Sequence, residues 1–254
     1  MRLKHITFTG IDAKTDIQDL IDIQREFPIV EFGVLTSYHW YENGNRYLNP
    51  AFLSNLYAGN GELNLSLHVC GSMAHDAADG YWNHIEHYMF NTLGLFKRVQ
   101  LNVANRTDNP YRLASTPNKH TEVIIQQKGV HDIEMFERSM WMNVSVLLDA
   151  SGGQGIVAPI EVLPNAGKQF KVGYAGGINS SNVADKLAYL LQNDQVGDFW
   201  IDMESGVRTP NWFGDGDWFD TDMVRSVLDV CSKVAKNYGI NIRRNDYECR
   251  KIYY

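Results

Sequence analysis

Eight short apolar segments, separated by stretches of helical character, constrain the fold of this chain more than any other feature. They are rich in Val, Ile, Leu and Phe, which is typical of strands that are covered on both faces. The segments span residues 3–9, 29–36, 63–70, 97–103, 121–127, 144–149, 170–175 and 198–203. Their alternation with helical stretches indicates an α/β protein.

Six of the intervening stretches carry helical periodicity or helix-end signals. Asn49-Pro50 opens the second, a serine caps the fifth, and the sixth runs from an Asp220 cap to a stop at Gly239. We predict helices over residues 15–27, 50–56, 73–92, 133–142, 180–192 and 220–239. Weaker helical patterns occupy residues 104–120 and 150–169.

Eight strands with helices between them in 254 residues predict a (β/α)₈ TIM barrel. An open doubly wound sheet is the alternative. The predicted barrel is a single domain over residues 1–254, with a short C-terminal extension from about residue 240. Chemistry in such a barrel lies at the carboxyl ends of the strands, on the loops that follow them.

Composition narrows the functional classes. With 44% hydrophobic and 21% charged residues, the chain can bury a core and is not wholly disordered. Its net charge of −7 argues against nucleic-acid binding, which favours a basic face. The chain has no run of about 18 apolar residues, so we expect no membrane span, and the N-terminus does not resemble a signal peptide. Three cysteines without metal-ligand spacing predict a reduced, cytoplasmic protein.

Glycine-rich loops follow the last three predicted strands. Residues 146–155 read VLLDASGGQG, residues 172–179 read VGYAGGIN, and residues 199–207 read FWIDMESGV. Glycines let backbone N–H groups approach an anion closely, and the loops after strands seven and eight often bind phosphate in such barrels. We therefore expect a phosphorylated ligand there.

These segments resemble the phosphoribosylanthranilate isomerase family, whose last three strands read approximately LLD…GGxG, LxGGLxxxNV and DVSSGVE. This chain has LLDASGGQG, YAGGINSSNV and IDMESGVR in the same order. Earlier segments are similar more loosely: FTGID at 8–12, GNRYLNPAFL at 44–53 and VQLN at 99–102. The resemblance spans most of the chain and is strongest over residues 146–208.

The resemblance implies an Amadori rearrangement, in which a phosphoribosylamine opens and isomerises to an amino-ketose by means of an acid and a base. Asp149 matches the family's general acid, Asp202 matches an aspartate near the substrate amine, and Arg46 matches the arginine that grips the anthranilate carboxylate. Backbone amides are implied to hold the phosphate at Gly176, Gly177, Ser205 and Gly206, and a mobile flap is implied at Gly152, Gly153 and Gly155.

Thr9 stands where the family has the cysteine that acts as the general base. A threonine hydroxyl is a very poor base unless another group activates it, so we expect Thr9 at most to bind the ligand. Ser66, His68 and Cys70 alternate along strand three and face the same side. If that side is inward, Cys70 lies nearest the carboxyl end and can replace the missing thiol, with His68 one layer below.

Two carboxylates are further candidates for the base. Glu204 replaces a family serine and faces the same side as Asp202, and two close carboxylates raise the pKa of one of them. Asp12, just past strand one, is another candidate, although we expect it to be solvated. The segment 209–222, which is acidic and aromatic, is longer than in the family and predicts either cover for a pocket or a partner surface.

The sequence thus predicts a barrel that resembles phosphoribosylanthranilate isomerase, binds a small phosphorylated sugar or nucleotide-like ligand, and can catalyse an aldose–ketose isomerisation. A non-catalytic binding barrel and a barrel lyase or epimerase are the alternatives. Proton transfers need no cofactor and no metal, so none is expected. We expect neither nucleic acid nor membrane as a partner, and a monomer or a homodimer.

Overall fold

Eight strands form a closed parallel barrel in the computed structural model, with neighbours in sequence order. The strands are β1 (Leu3–Thr9), β2 (Val30–Thr36), β3 (Leu65–Val69), β4 (Phe96–Leu101), β5 (Glu122–Gln127), β6 (Val144–Asp149), β7 (Val172–Ala175) and β8 (Phe199–Met203). The structure describes residues 2–39, 46–47, 50–58, 63–83, 85, 96–103, 121–128, 143–149, 151, 171–210 and 216–244.

The predicted (β/α)₈ barrel is confirmed. Every predicted strand is present, with ends that differ by no more than two residues from the expected ones. Strand β8 pairs in parallel with β1, Thr7 lying opposite Asp202, so the sheet closes and the open doubly wound alternative is wrong.

Five α-helices can be delimited among the described residues, and they lie on the outside of the barrel. They are α1 (Ile17–Glu26), α2 (Pro50–Ala58), α3 (Gly71–Ala78), α4 (Val183–Gln192) and α5 (Thr221–Asn237). The predicted helix over 133–142 lies outside the described residues, as does nearly all of 104–120 and 150–169. Apolar rows on these helices are buried as predicted, for example Val183, Leu187, Leu190 and Leu191 on α4.

The structure corrects two helix ends. The predicted helix over 73–92 is interrupted, because α3 ends at Ala78 and Gly80 has a φ of +91° that a helix does not allow. Asn83 and Ile85 are helical again, and residue 84 and residues 86–92 lie outside the described residues. The predicted serine cap of α4 is also wrong: Asn182 precedes the helix and its side chain makes no cap bond. Instead Asn179 Oδ1 accepts hydrogen bonds from the backbone and hydroxyl of Ser181, which holds that serine in a turn.

Helix α5 has the predicted ends. Asp220 accepts hydrogen bonds from the N–H groups of Asp222 and Met223, so it is an N-cap. Gly239, two residues beyond Asn237, has a φ of +71°, the left-handed conformation in which glycine commonly ends a helix.

The amino-terminal half of the barrel interior is charged, whereas such barrels are usually filled by branched apolar side chains. Arg98 Nη1 donates to Glu31 Oε1 at 2.8 Å, and both residues are buried. Thr7 Oγ1 donates to the same carboxylate at 3.0 Å, and the Arg98 guanidinium lies 4.2 Å from the centre of a Trp200 ring. We call Thr7, Glu31, Arg98, Glu122 and Trp200 the floor cluster.

Gly173 on β7 makes room for the tryptophan of the floor cluster. A Cβ atom at position 173 would lie 2.2 Å from Trp200 Cε2, closer than any side chain can approach. The indole therefore occupies the space that a β7 side chain would fill.

A small antiparallel hairpin, β9 (Arg208–Pro210) with β10 (Asp217–Phe219), follows β8. Phe219 packs edge-on against Phe32 with ring centroids 6.4 Å apart, so the end of the long loop predicted over 209–222 is tied to the barrel. Within the described residues, no helix combines the length and the apolar character that crossing a membrane requires.

Candidate functional site

A cavity of about 500 Å³ opens at the carboxyl ends of the barrel strands. Its size is that of pockets for small organic ligands. Most lining residues are polar or small, and four are larger and apolar; together they are Thr9, Leu35, Arg46, Tyr47, His68, Cys70, Gln100, Asn102, Gln126, Leu147, Asp149, Ser151, Ala175, Gly176, Gly177, Ile178, Asp202, Met203, Glu204 and Ser205.

Ten of the residues proposed from the sequence meet in this cavity. They are Thr9, Arg46, His68, Cys70, Asp149, Gly176, Gly177, Asp202, Glu204 and Ser205. Gly206 is not part of the lining. The predicted flap glycines, Gly152, Gly153 and Gly155, lie outside the described residues.

Asp202 is a buried carboxyl group on the wall of the cavity. Thr9 Oγ1 donates to its Oδ1 at 2.7 Å, and only 7% of the residue is exposed. Burial raises the pKa of Asp202 to about 7; the negative charges of Glu204 and Glu31 raise it further, while the Thr9 hydrogen bond and Arg98 lower it. Its carboxyl group therefore exchanges protons near neutral pH.

The hydroxyl of Thr9 is a hydrogen-bond donor to Asp202. Thr9 lies at the end of β1, where the resemblance would place a cysteine base, and its single proton is donated to the carboxylate. A hydroxyl that gives its proton to a neighbour stabilises the charged form of that neighbour and is not itself activated. That Thr9 is no base stays a prediction; the contact shows that its hydroxyl donates to Asp202.

The neutral side chain of His68 lies beside Thr9 and Asp202. Gln100 Nε2 lies 3.1 Å from Nδ1, and Ser66 Oγ lies 3.0 Å from Nε2. Because the Gln100 amide donates, the ring proton is on Nε2 and is donated to Ser66. Burial lowers the pKa of His68 to about 4, so the ring offers Asp202 no positive charge although Nδ1 lies 4.0 Å from Oδ2.

Asp149 ends β6 on another wall of the cavity. Three donors converge on its carboxylate: Gln126 Nε2 at 2.8 Å, Ser151 N at 3.0 Å and Ser151 Oγ at 2.6 Å. These hydrogen bonds fix the orientation of the carboxyl group at the cavity wall. The acid role that the resemblance implies for Asp149 stays a prediction.

The two aspartates face each other across one strand. Asp149 pairs with Ala175 on β7, and Tyr174 pairs with Ile201 on β8, so the residues that follow, Ala175 and Asp202, lie at the same level. Two strand spacings separate the aspartates, roughly 10 Å. The methyl group of Ala175 leaves the space between them open to a ligand.

Cys70 lies at the carboxyl end of β3, as predicted, and lines the cavity. Asn102 Nδ2 donates to its sulfur at 3.1 Å. Burial raises the pKa of the Cys70 thiol to about 11, more than the hydrogen bonds from Asn102 and Tyr47 lower it. At neutral pH the sulfur is therefore a thiol, which is a weaker base than a thiolate.

Arg46 is engaged by two carboxylates of the protein. Its Nη1 donates to Glu204 Oε1 at 2.7 Å, while Nε and Nη2 donate to the two oxygens of Asp217 at 3.2 and 2.5 Å. Nearby carboxylates raise the pKa of Arg46 although burial opposes them. Glu204 is therefore an ion-pair partner at the rim.

Arg208 extends these contacts inward, and it corrects the expectation for Asp12. Asp12 is completely buried rather than solvated, because Arg208 Nη2 and the backbone N–H of Phe219 each donate to its Oδ2 at 2.8 Å. Arg208 Nε also donates to Asp217 Oδ1 at 2.8 Å. Asp12 thus holds the hairpin on the barrel and does not line the cavity.

The loops after β7 and β8 meet at the cavity edge. Gly176 and Gly177 have φ angles of +101° and +61°, which L side chains rarely adopt. A Cβ atom at Gly206 would lie 2.0 Å from the carbonyl oxygen of Ile178. Gly206 therefore brings the two loops together, while Ser205 and the glycine pair line the cavity.

Sequence reasoning missed five residues that line the cavity and contact the predicted ones: Tyr47, Gln100, Asn102, Gln126 and Ser151. Three of them could have been predicted from the sequence. Gln100 and Asn102 lie at alternate positions of one strand segment and Gln126 is the last residue but one of another, so the two-residue period would have placed them inward with the catalytic candidates.

Among the residues that the structure describes, no group of three or more His, Cys, Asp or Glu side chains could hold a metal ion. Two acidic side chains of the cavity contact other groups instead. Asp202 accepts a hydrogen bond from the Thr9 hydroxyl, and Glu204 accepts one from Arg46, which also donates to Asp217.

Comparison with solved structures gives the same fold. Phosphoribosylanthranilate isomerase from Thermus thermophilus is similar over 91% of this chain and 99% of its own, with a TM-score of 0.57 and 16% identity. A truncated 3-deoxy-D-arabino-heptulosonate 7-phosphate synthase from Thermotoga maritima is similar over 93% of this chain and 88% of its own, with a TM-score of 0.51 and 11% identity. No protein-family model and no curated protein sequence matches the chain. The comparisons thus establish a TIM barrel whose structural neighbours include phosphoribosylanthranilate isomerase.

Proposed function

We propose that this protein binds a phosphorylated sugar amine in the cavity and isomerises it by acid–base catalysis, with Asp202 exchanging the proton. One observation carries the proposal: a buried carboxyl group faces the cavity with a threonine hydroxyl as its partner and with a pKa of about 7. In the described part of the chain, no Lys or Arg forms an ion pair with it. An acid–base group is most effective when its pKa lies near the working pH.

The other candidates for the base are less suited. Cys70 holds its proton at neutral pH, and Glu204 is ion-paired with Arg46. Thr9 gives its proton to Asp202. We therefore assign the proton exchange to Asp202, for which the resemblance implied only a contact with the substrate.

Asp202 can perform both proton transfers of an Amadori rearrangement. Protonated Asp202 gives its proton to the ring oxygen as the bond between C1 and that oxygen breaks, which leaves an iminium ion. The resulting carboxylate then removes the proton from C2, and the enol becomes the ketose by gaining a proton at C1 and losing one from its hydroxyl. Asp149, held by three donors two strands away from Asp202, stabilises the cationic iminium.

The glycine loops supply the phosphate site of this proposal. Backbone amides at Gly176, Gly177 and Ser205 border the cavity, and consecutive glycines with positive φ form a concave turn of the kind that binds anions. The loops after β7 and β8 are a frequent phosphate site in TIM barrels.

Deuterium exchange tests the proton transfer directly. Purified protein is incubated in D₂O with N-(5-phosphoribosyl)aniline, and mass spectrometry follows the mass gain at C2 and C1. We expect exchange with the wild-type protein and a rate at least about 100-fold lower in Asp202→Asn, the usual effect of losing an acid–base group. Asp194→Asn, which removes an exposed carboxylate far from the cavity lining, is the control and retains the wild-type rate.

A binding protein without catalysis is the second candidate, and Thr9 in place of a cysteine base favours it. Calorimetry with ribose 5-phosphate and with ribose separates the two functions. Binding of the phosphorylated sugar alone, without any exchange in D₂O, would establish the binding protein and overturn the isomerase. Binding of neither sugar would overturn both.

A further inference from the structure

The contacts of Arg46 restrict the chemistry of the ligand. Glu204 Oε1 lies 2.7 Å from Nη1, and the two oxygens of Asp217 lie 2.5 Å from Nη2 and 3.2 Å from Nε. All three nitrogens of the guanidinium thus donate to carboxylates of the protein itself. A planar guanidinium binds carboxylates in this forked geometry, and here the protein supplies both of them.

The charge around Arg46 is already compensated. Asp217 also accepts from Arg208 Nε at 2.8 Å, and Arg208 Nη2 pairs with Asp12 at 2.8 Å. The connected chain contains three carboxylates, on Asp12, Asp217 and Glu204, and two guanidiniums, so its formal charge is −1. An anionic ligand group that approached Arg46 would meet no excess of positive charge from this chain of described side chains.

A ligand carboxylate could reach Arg46 Nη1 only by displacing Glu204. The displaced side chain would then lie beside the negative charge of the incoming carboxylate and close to Asp202, whose pKa its charge already raises. Glu204 lines the cavity with 38% of its side chain exposed, so solvent weakens that repulsion without removing it.

From these contacts we propose that Glu204 takes the place of a ligand carboxylate, so that the amine portion of the true ligand carries a hydrogen-bond donor and no carboxylate at this position. This inference rests on the proposed function, because it describes one end of the ligand bound there. The resemblance implied that Arg46 grips the carboxylate of an anthranilate; in this chain a side chain stands where the family has a serine and grips the arginine instead.

Three matched probes test the inference. Each is a 5-phosphoribityl arylamine, which has no ring to open and is therefore inert; the aryl ring is unsubstituted, ortho-carboxylate or ortho-carboxamide. Calorimetry with the wild-type protein is expected to show the carboxamide binding at least about tenfold tighter than the carboxylate. The reason is that the carboxylate probe would break the contact between Glu204 and Arg46 and would be repelled by Glu204. Glu204→Ser is expected to invert this order, because it frees Arg46 Nη1.

Two further variants control the result. Glu204→Gln keeps the side-chain volume and is expected to reduce the preference for the carboxamide to less than about threefold. Asp194→Asn removes the same charge at an exposed position and is expected to keep the wild-type preference. A wild-type protein that binds the carboxylate as tightly as the carboxamide, or tighter, would overturn the inference while leaving the proposed function intact. Failure of all three probes, including the unsubstituted one, would overturn the proposed function and the inference with it.

Discussion

Two buried acidic residues on the barrel wall, Glu31 in the floor cluster and Asp202 at the mouth, differ in one respect: the partner. Glu31 has Arg98 at 2.8 Å, and Asp202 has the hydroxyl of Thr9 at 2.7 Å. Burial raises the pKa of both, yet Arg98, His5, His68 and Thr7 hold the pKa of Glu31 below its ordinary value, whereas the pKa of Asp202 reaches about 7. A buried carboxylate with a cationic partner supports the fold, and one without such a partner is available for chemistry.

Removing the cation of the floor cluster should have the largest effect on stability. Arg98→Met leaves Glu31 buried without its cation, and we expect the free energy of unfolding to fall by about 3–5 kcal/mol. Urea denaturation followed by circular dichroism measures the loss. The double variant Glu31→Gln with Arg98→Met should recover at least half of it, because no charge is then left unpaired; a loss below about 1 kcal/mol in the single variant would contradict the comparison.

The pH dependence of stability should have opposite signs in the two regions. Because the pKa of Asp202 is raised in the folded state, the fold binds its proton more tightly than the unfolded chain does. Stability from this residue is complete below about pH 4 and is lost as the pH rises to about 7, by up to about 4 kcal/mol. The lowered pKa of Glu31 acts in reverse, since its contribution is present above about pH 4 and is lost as the pH falls further.

Comparing the wild type with Asp202→Asn isolates the contribution of Asp202 to the pH dependence of stability. Thermal or urea unfolding of both proteins from pH 4 to pH 8 should give a stability difference that grows in favour of the variant as the pH rises. Parallel curves would show that Asp202 has an ordinary pKa and would remove it as the proton-exchanging group.

The packing between β7 and β8 offers a smaller perturbation of the floor cluster. Gly173→Ala places a methyl group against the Trp200 ring, and we expect a loss of about 1–3 kcal/mol from overpacking. Adding Trp200→Phe should restore part of the loss by shrinking the ring. Chemical denaturation measures both variants, and independence of the two substitutions would argue against the contact.

The smallest expected effect concerns the hydrogen bond at the mouth. Thr9→Val removes the hydroxyl that donates to Asp202 while it keeps the branched shape, and we expect a cost of about 1 kcal/mol in stability. The same loss should raise the pKa of Asp202 further, because the hydrogen bond stabilises the carboxylate. NMR titration of the carboxyl carbon measures this pKa, and a downward shift would contradict the assigned donor.

The sequence predicted the strands well because buried parallel strands carry a local signal, a short run of branched and aromatic residues. Asp149 and Asp202 were predicted for the same reason, since each stands at the end of such a run beside glycines. Helix α3 was predicted too long, since the positive φ of Gly80 is decided by a turn and not by helical periodicity.

What the sequence did not predict depends on distant partners. Arg208 buries Asp12, 196 positions away, and Asp217 engages Arg46, 171 positions away. No local pattern indicates either pairing. The Glu31–Arg98 pair was missed for a related reason: each residue interrupts an apolar strand in isolation, and only the pairing of both β2 and β4 with β3 brings them together.

The fit of Trp200 into the space above Gly173 has a consequence for the history of this chain. Because no side chain fits beneath the indole, the glycine had to be in place before, or together with, the tryptophan. Homologues of this protein should therefore keep the two residues as a pair or lose both, and an ancestor with a larger residue at the β7 position should carry a smaller one in place of the indole.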